Sequence, residues 1–176
     1  MGPVRPLVVV YPYPVRALGV DYGRRRIGLA LSDATGLLAR PWKTIAREGG
    51  PEQVAATLWR EIAALLSESD GLAAVVLGFP RRLSGEPNDQ TATVEAVAAR
   101  LRAIVQVPVV LQDERLTSRE AERRLALREK DWRKRKPLLD AASAAIILQD
   151  YLDGQARPAP VDLQDFHDVD PGGEDS

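Results

Sequence analysis

A hairpin signature near the start of the chain constrains the fold most. Ala17-Leu18-Gly19-Val20 is a short apolar run that ends on Asp21. A tight, basic, Gly-bearing turn follows, Tyr22-Gly23-Arg24-Arg25-Arg26, and then a second alternating run, Ile27-Gly28-Leu29-Ala30-Leu31-Ser32. The pattern predicts two antiparallel strands joined by that turn. A carboxylate at the end of a buried strand is unfavourable unless a cation, a metal ion or hydrogen-bond donors compensate it. The hairpin therefore sets an acidic group beside a turn suited to phosphate.

The rest of the chain extends this unit into an α/β pattern. Leu37 to Ile45, with Pro41 inside it, reads as a third strand at the end of the sheet. Gly49-Gly50-Pro51 opens a helix with Val54, Leu58, Ile62 and Leu65 on one face, and Gly71 closes it. The unbroken apolar run Leu72 to Leu77 predicts a strand buried on both faces. A loop from Gly78 to Pro87 leads to a second helix after Asn88, with Val94, Val97, Leu101 and Ile104 inward. Val107 to Leu111 is the next buried strand. Thr117 and Glu120 form a capping-box pattern that starts a third helix, and the basic stretch after it ends at Pro137. The last helix runs from about Leu138 to Tyr151, where Ala141, Ala142, Ala144 and Ala145 leave room for close approach to a sheet. The order β-β-β-α-β-α-β-α-α predicts a mixed five-stranded sheet: three antiparallel strands, then alternating strands and helices, with helices on both faces.

Composition narrows the chemistry. The 176 residues suit one domain, and 45% hydrophobic with 28% charged residues predict a folded globule. Residues 1–16, rich in proline, read as a flexible extension; 17–153 form the domain; 154–176 read as a disordered acidic tail. The apolar patch Leu7-Val8-Val9-Val10 is too short to cross a bilayer, so no membrane role is expected. The chain has no cysteine and a single histidine, His167, in the acidic tail. Disulfides and thiolate sites are excluded, zinc is disfavoured, and a reducing, cytoplasmic setting is expected. A metal would have to be held by oxygen ligands, which favours magnesium or manganese.

Three acids stand out. Asp21 ends the first strand, Glu114 follows the fifth, and Asp140 opens the last helix, whose N-terminal dipole would favour a carboxylate. Asp113 competes with Glu114 as the ligand. Strand ends at one edge of an α/β sheet converge on a crevice. Three carboxylates gathered there would repel one another, and divalent cations remove that penalty. Two such ions about 3.5–4 Å apart can activate a water and steady the leaving oxygen of a phosphodiester.

Four ordered segments bear a family resemblance. Ala17 to Asp33 resembles the first motif of the YqgF family, Holliday-junction-resolvase-like proteins also described as pre-16S ribosomal RNA nucleases. Val75-Val76-Leu77-Gly78-Phe79-Pro80, with Gly85 and Gln90, is similar to the second motif. Asp113-Glu114-Arg115-Leu116-Thr117-Ser118 is similar to the third, and Asp140 to Gln149 to the fourth. The match runs from about Ala17 to Leu152. It implies an RNase H-like fold, a metal-dependent phosphodiesterase, and Asp21, Glu114 and Asp140 as ligands of two magnesium or manganese ions.

Basic residues surround these acids. Arg24, Arg25 and Arg26 in the first turn, Arg81 and Arg82 in the loop after the fourth strand, and Arg115 beside Glu114 are candidate phosphate contacts. Arg119, Arg123 and the run Arg133-Lys134-Arg135-Lys136 extend the set, and Trp132 is a candidate either for stacking on a base or for a partly buried anchor. The expectation is a metal-dependent endonuclease for structured nucleic acid, with pre-ribosomal RNA favoured over branched DNA. A junction resolvase makes two symmetric cuts and needs a homodimer, whereas RNA processing allows a monomer. Two other classes remain: a phosphate-binding kinase or ATPase, and a non-catalytic nucleic-acid-binding or transcription-associated protein.

Overall fold

The computed structural model describes residues 16–80, 82, 84–113 and 132–155, with side chains from 138 onward in the last segment. The elements are β1 (Ala17–Tyr22), β2 (Arg26–Ser32), β3 (Ala39–Ala46), α1 (Pro51–Leu66), β4 (Ala74–Phe79), α2 (Thr91–Ile104), β5 (Val109–Asp113) and α3 (Trp132–Gly154). The expected helix from Thr117, most of the N-terminal extension and the acidic tail lie outside the described residues.

The sheet order is β3-β2-β1-β4-β5. β1 pairs antiparallel with β2 and parallel with β4, and β4 pairs parallel with β5. This is the mixed five-stranded, RNase H-like α/β architecture the sequence predicts. β1 is central, with partners on both sides.

Side-chain size assigns the two faces. Along β1, Leu18, Val20 and Tyr22 enter the core shared with α1 and α2. Ala17 lies in a second cluster with Ala30, Ala74 and Val76, which packs against Ala144, Ala145, Ile147 and Leu148 of α3. Large residues thus meet two helices on one face, while small ones admit a single helix at close range on the other. A Cβ on Gly19 would lie 2.7 Å from Leu148 Cβ and 2.8 Å from Ala144 O. A Cβ on Gly28 would lie 1.9 Å from Asp140 O. These glycines are therefore contact points for the α3 backbone. Gln149 fastens α3 to the start of β3: it accepts from Ala39 N at 2.9 Å and donates to Leu37 O at 3.1 Å.

Several boundaries differ from expectation. β4 and β5 run two residues further, because Gly78 and Phe79 continue the ladder with Gln112 and Asp113. Ile104 is 46% exposed rather than inward. The buried stripe steps from Leu101 to Val105, four residues on, and Val105 takes the core position expected for Ile104. The last helix begins at Trp132, not near Leu138, so Pro137 lies within it. β3 is an edge strand that contains Pro41 and a register shift, with Lys43 opposite Leu29 and Pro41 opposite Ala30, leaving Trp42 as an extra residue. Arg16, the last residue of the segment read as an extension, is buried. It donates to Gly71 O at 3.0 Å and Leu65 O at 3.3 Å, and pairs with Glu68 at 2.9 Å. It thereby supplies donors to carbonyls at and just beyond the C-terminal end of α1.

Candidate active site

Alternation along β1 carries Asp21 to the α3 face, away from the Leu18, Val20 and Tyr22 core. Its register partner on β2 is Gly28. The α3 backbone at Asp140 rests on that glycine, so the second acid is delivered directly over the first. Arg26, two residues before Gly28, lies on the same face of β2. Its Nε donates to Asp140 Oδ2 at 2.6 Å, a short charge-assisted bond. The Arg26 and Asp140 side chains are 36% and 22% exposed, so the pair is shielded only in part.

Asp21 has no hydrogen-bond donor or cation against it among the described residues. Burial, and then the neighbouring Asp140 charge, push its carboxyl up to about 7. Among the described residues the site thus holds two carboxylates and one guanidinium, and the guanidinium is committed to Asp140. This corrects one expectation. Asp140 does not open α3, which begins at Trp132. The helix dipole acts within about the first turn. Arg26 therefore compensates the Asp140 charge where the dipole was expected to do so.

The turn after Asp21 is braced from β3. Gly23 N donates to Arg26 O at 3.0 Å, and Arg47 N donates to Arg25 O at 2.9 Å. The Arg47 side chain donates to Arg24 O at 3.2 Å, and its guanidinium lies 4.7 Å from the centre of the Tyr22 ring. Sequence reasoning missed Arg47; the signal was a basic residue just past the third strand, level with the turn.

Arg24 pairs with Asp89 at 2.6 Å, bridging the turn to the segment before α2. Arg25 and Arg82 are exposed. Asn88 accepts from Gln90 N at 2.9 Å and Thr91 N at 3.2 Å, so its side chain takes up backbone donors at the start of α2. Thr91 Oγ1 donates to Pro80 O at 2.7 Å and pins the loop to the helix start. Arg24, Arg25, Arg26 and Arg82 therefore stand at or beside the edge of the sheet that carries Asp21.

The fifth strand separates the two acid candidates at its end. Val109 belongs to the α1/α2 core, Leu111 packs against it, and Asp113 is level with Phe79 of that same core. Alternation puts Asp113 on the face opposite Asp21. Glu114, Arg115, Arg119, Arg123 and Arg81 lie outside the described residues, as do the side chains of Trp132, Arg133, Lys134, Arg135 and Lys136. Among the described residues, no group of three or more His, Cys, Asp and Glu side chains forms a potential metal site. The acids brought together there are Asp21 and Asp140. No described helix is long and apolar enough to cross a membrane.

This sheet defines an RNase H-like α/β fold, and two acids meet at the end of its central strand. More particularly, the chain belongs to the RuvX family: the family profile, described as Holliday junction resolvase, matches residues 15–154. Curated relatives carry the name "Putative pre-16S rRNA nuclease". One from Syntrophus aciditrophicus is 40% identical over 139 residues, covering 79% of this chain and 89% of its own. One from Rhodococcus erythropolis is 40% identical over 159 residues, covering 89% of this chain and 87% of its own. Among solved structures, Thermus thermophilus RuvC in complex with Holliday junction substrate aligns with a TM-score of 0.45 and 16% identity, over 75% of this chain and 90% of that one. A second T. thermophilus RuvC structure aligns with a TM-score of 0.47 and 14% identity, over 78% and 96%.

Proposed function

We propose that this chain is a divalent-metal-dependent endonuclease that hydrolyses phosphodiesters in structured RNA, with precursor 16S ribosomal RNA as the substrate class. The observation that carries the reading is the meeting of Asp21 and Asp140 across β1 and α3, with the Asp21 carboxyl pushed up to about 7 by burial and then by the Asp140 charge. Hard carboxylate oxygens short of a counter-charge fit magnesium or manganese. Asp21 and Asp140 would hold the metal. Glu114 is the third ligand in this reading, as its place in the third family motif implies, while the Asp113 side chain beside it takes the face opposite Asp21. Asp113 is thereby disfavoured as a ligand. Two bound ions would supply water activation and neutralisation of the departing 3′ oxygen.

The chain's own groups do the rest. Asp21 must be ionised to act as a ligand. Arg26 keeps the Asp140 carboxylate in place. Arg24, Arg25 and Arg82 offer guanidinium groups to substrate phosphates, as do Arg81, Arg115, Arg119, Arg123, Arg133, Lys134, Arg135 and Lys136 in the sequence. Such contacts make binding salt-dependent and largely independent of sequence. The relatives' name supports RNA, and a cytoplasmic monomer would suffice for it. The family description supports a second reading, cleavage of four-way DNA junctions by a homodimer.

The test is cleavage of a substrate panel, precursor ribosomal RNA fragments and four-way DNA junctions, with manganese present. Asp21→Asn should abolish turnover while leaving substrate affinity within a few-fold of wild type. Near-normal metal-dependent cleavage by that variant would refute the assignment. Preference for junctions, with a dimeric solution mass, would select the second reading.

A further inference from the structure

Arg26 entered the sequence reading as a phosphate contact, yet its Nε is bonded to Asp140. Among the described residues its two Nη groups have no acceptor, and the side chain is 36% exposed. The guanidinium thus lies between a carboxylate on α3 and the open side of the site. Asp21 and Asp140 are both acids, and Arg26 is the one cation the described residues set against either of them.

The geometry points to Arg26 as a positioning residue for Asp140: an internal counter-ion that holds this carboxylate in the absence of metal and competes with the metal for it. The inference rests on the proposed metal-binding role of Asp21 and Asp140. A divalent cation placed between these acids meets a guanidinium already bonded to one of them. Charge repulsion and the occupied Oδ2 both weaken its binding. When the cation takes Asp140, Arg26 loosens from Oδ2 and its fork becomes available to a phosphate oxygen. Loose metal binding without substrate and tighter binding with it follow, because the phosphate gives Arg26 a new partner.

The intact protein tests this through metal binding. Calorimetric titration with manganese should show tighter binding in Arg26→Gln than in wild type, by about tenfold for a unit charge removed close to a dication. Arg26→Lys, which keeps the charge, should bind more weakly than Arg26→Gln. Purely structural support of Asp140 predicts the reverse, weaker binding in Arg26→Gln. A second readout uses the wild-type chain: the Arg26 Nε–H resonance, assigned from its loss in Arg26→Lys, should shift and exchange faster with water on addition of magnesium. Wild-type binding with unchanged or weaker binding in Arg26→Gln overturns the inference and leaves the site reading intact. So does an Arg26 resonance that ignores saturating magnesium. A wild-type chain that binds neither ion refutes the site reading itself, and the inference falls with it.

Discussion

Gly28→Ala probes the link between the sheet and the site without touching an ionisable group. The added Cβ would fall 1.9 Å from Asp140 O, 2.1 Å from Asp140 C and 2.8 Å from Ala141 N. All three atoms are backbone, so no side-chain rotation relieves the clash. Ordinary contact begins at 3.4 Å; the difference requires α3 to retreat by about 1.5 Å at Asp140, the kind of overpacking that costs about 1–3 kcal/mol. For a chain of this size that is a Tm lower by about 2–12 °C. Asp140 rides on the displaced backbone, and a misplacement of about 1 Å can cost about a hundredfold in rate. The assay is manganese-dependent cleavage of a labelled RNA precursor, at a temperature where melting curves show the variant folded. Gly19→Ala is the control: it meets Leu148 Cβ at 2.7 Å and Ala144 O at 2.8 Å, one to two turns beyond Asp140. It should lose stability yet retain more activity. A folded Gly28→Ala protein with kcat/KM within about threefold of wild type, a difference under about 1 kcal/mol, would refute the reasoning.

Three further outcomes are expected. Asp21 is raised from 3.8 to about 7 by burial and by Asp140. Between those pH values the folded chain keeps a proton that the unfolded chain releases, so stability of the metal-free protein falls as pH rises through that window. The fall is at most about 4 kcal/mol, reduced by the carboxylate's remaining solvent contact. Urea melts with chelator present should show Asp21→Asn about equal to wild type near the lower limit and more stable above the upper one; superimposable curves would remove the buried-charge account. Arg16→Met strands the Leu65 and Gly71 carbonyls, whose donors come from Arg16 at 3.3 and 3.0 Å. It should cost about 2–3 kcal/mol in urea unfolding, with activity per folded molecule unchanged. Asp89→Asn frees Arg24 from an exposed ion pair, 74% and 69% accessible. Stability should move by less than about 1 kcal/mol, while RNA affinity at low salt rises about two- to fivefold and the gain disappears at high salt.

The hairpin and the succession of strands and helices along the chain were legible because the apolar runs and their punctuation are strong signals. The acid on β1 was legible for the same reason. The size alternation within β1 was also there to be read: Leu18, Val20 and Tyr22 against Ala17, Gly19 and Asp21. It foretells a thick helical layer on one face and a tightly docked helix on the other. Glycine usually punctuates, which predicts a loop from Gly78, but here it continues the ladder opposite Gln112. Starting the last helix after Pro137 leaves out its first turns, because α3 passes through that proline. That error moved Asp140 to a helix end and supplied a dipole where the fold supplies Arg26. The pairing of Arg26 with Asp140 spans 114 residues. No local pattern encodes it; only the register of β2 under α3 does.

An open strand invites another chain to add to it, and β3 is such a strand. Pro41 offers no amide proton there, and the extra residue Trp42 throws the next backbone groups out of step. A visiting strand would find its ladder interrupted near the middle of β3. A continuous sheet running through two copies is therefore disfavoured along this rim.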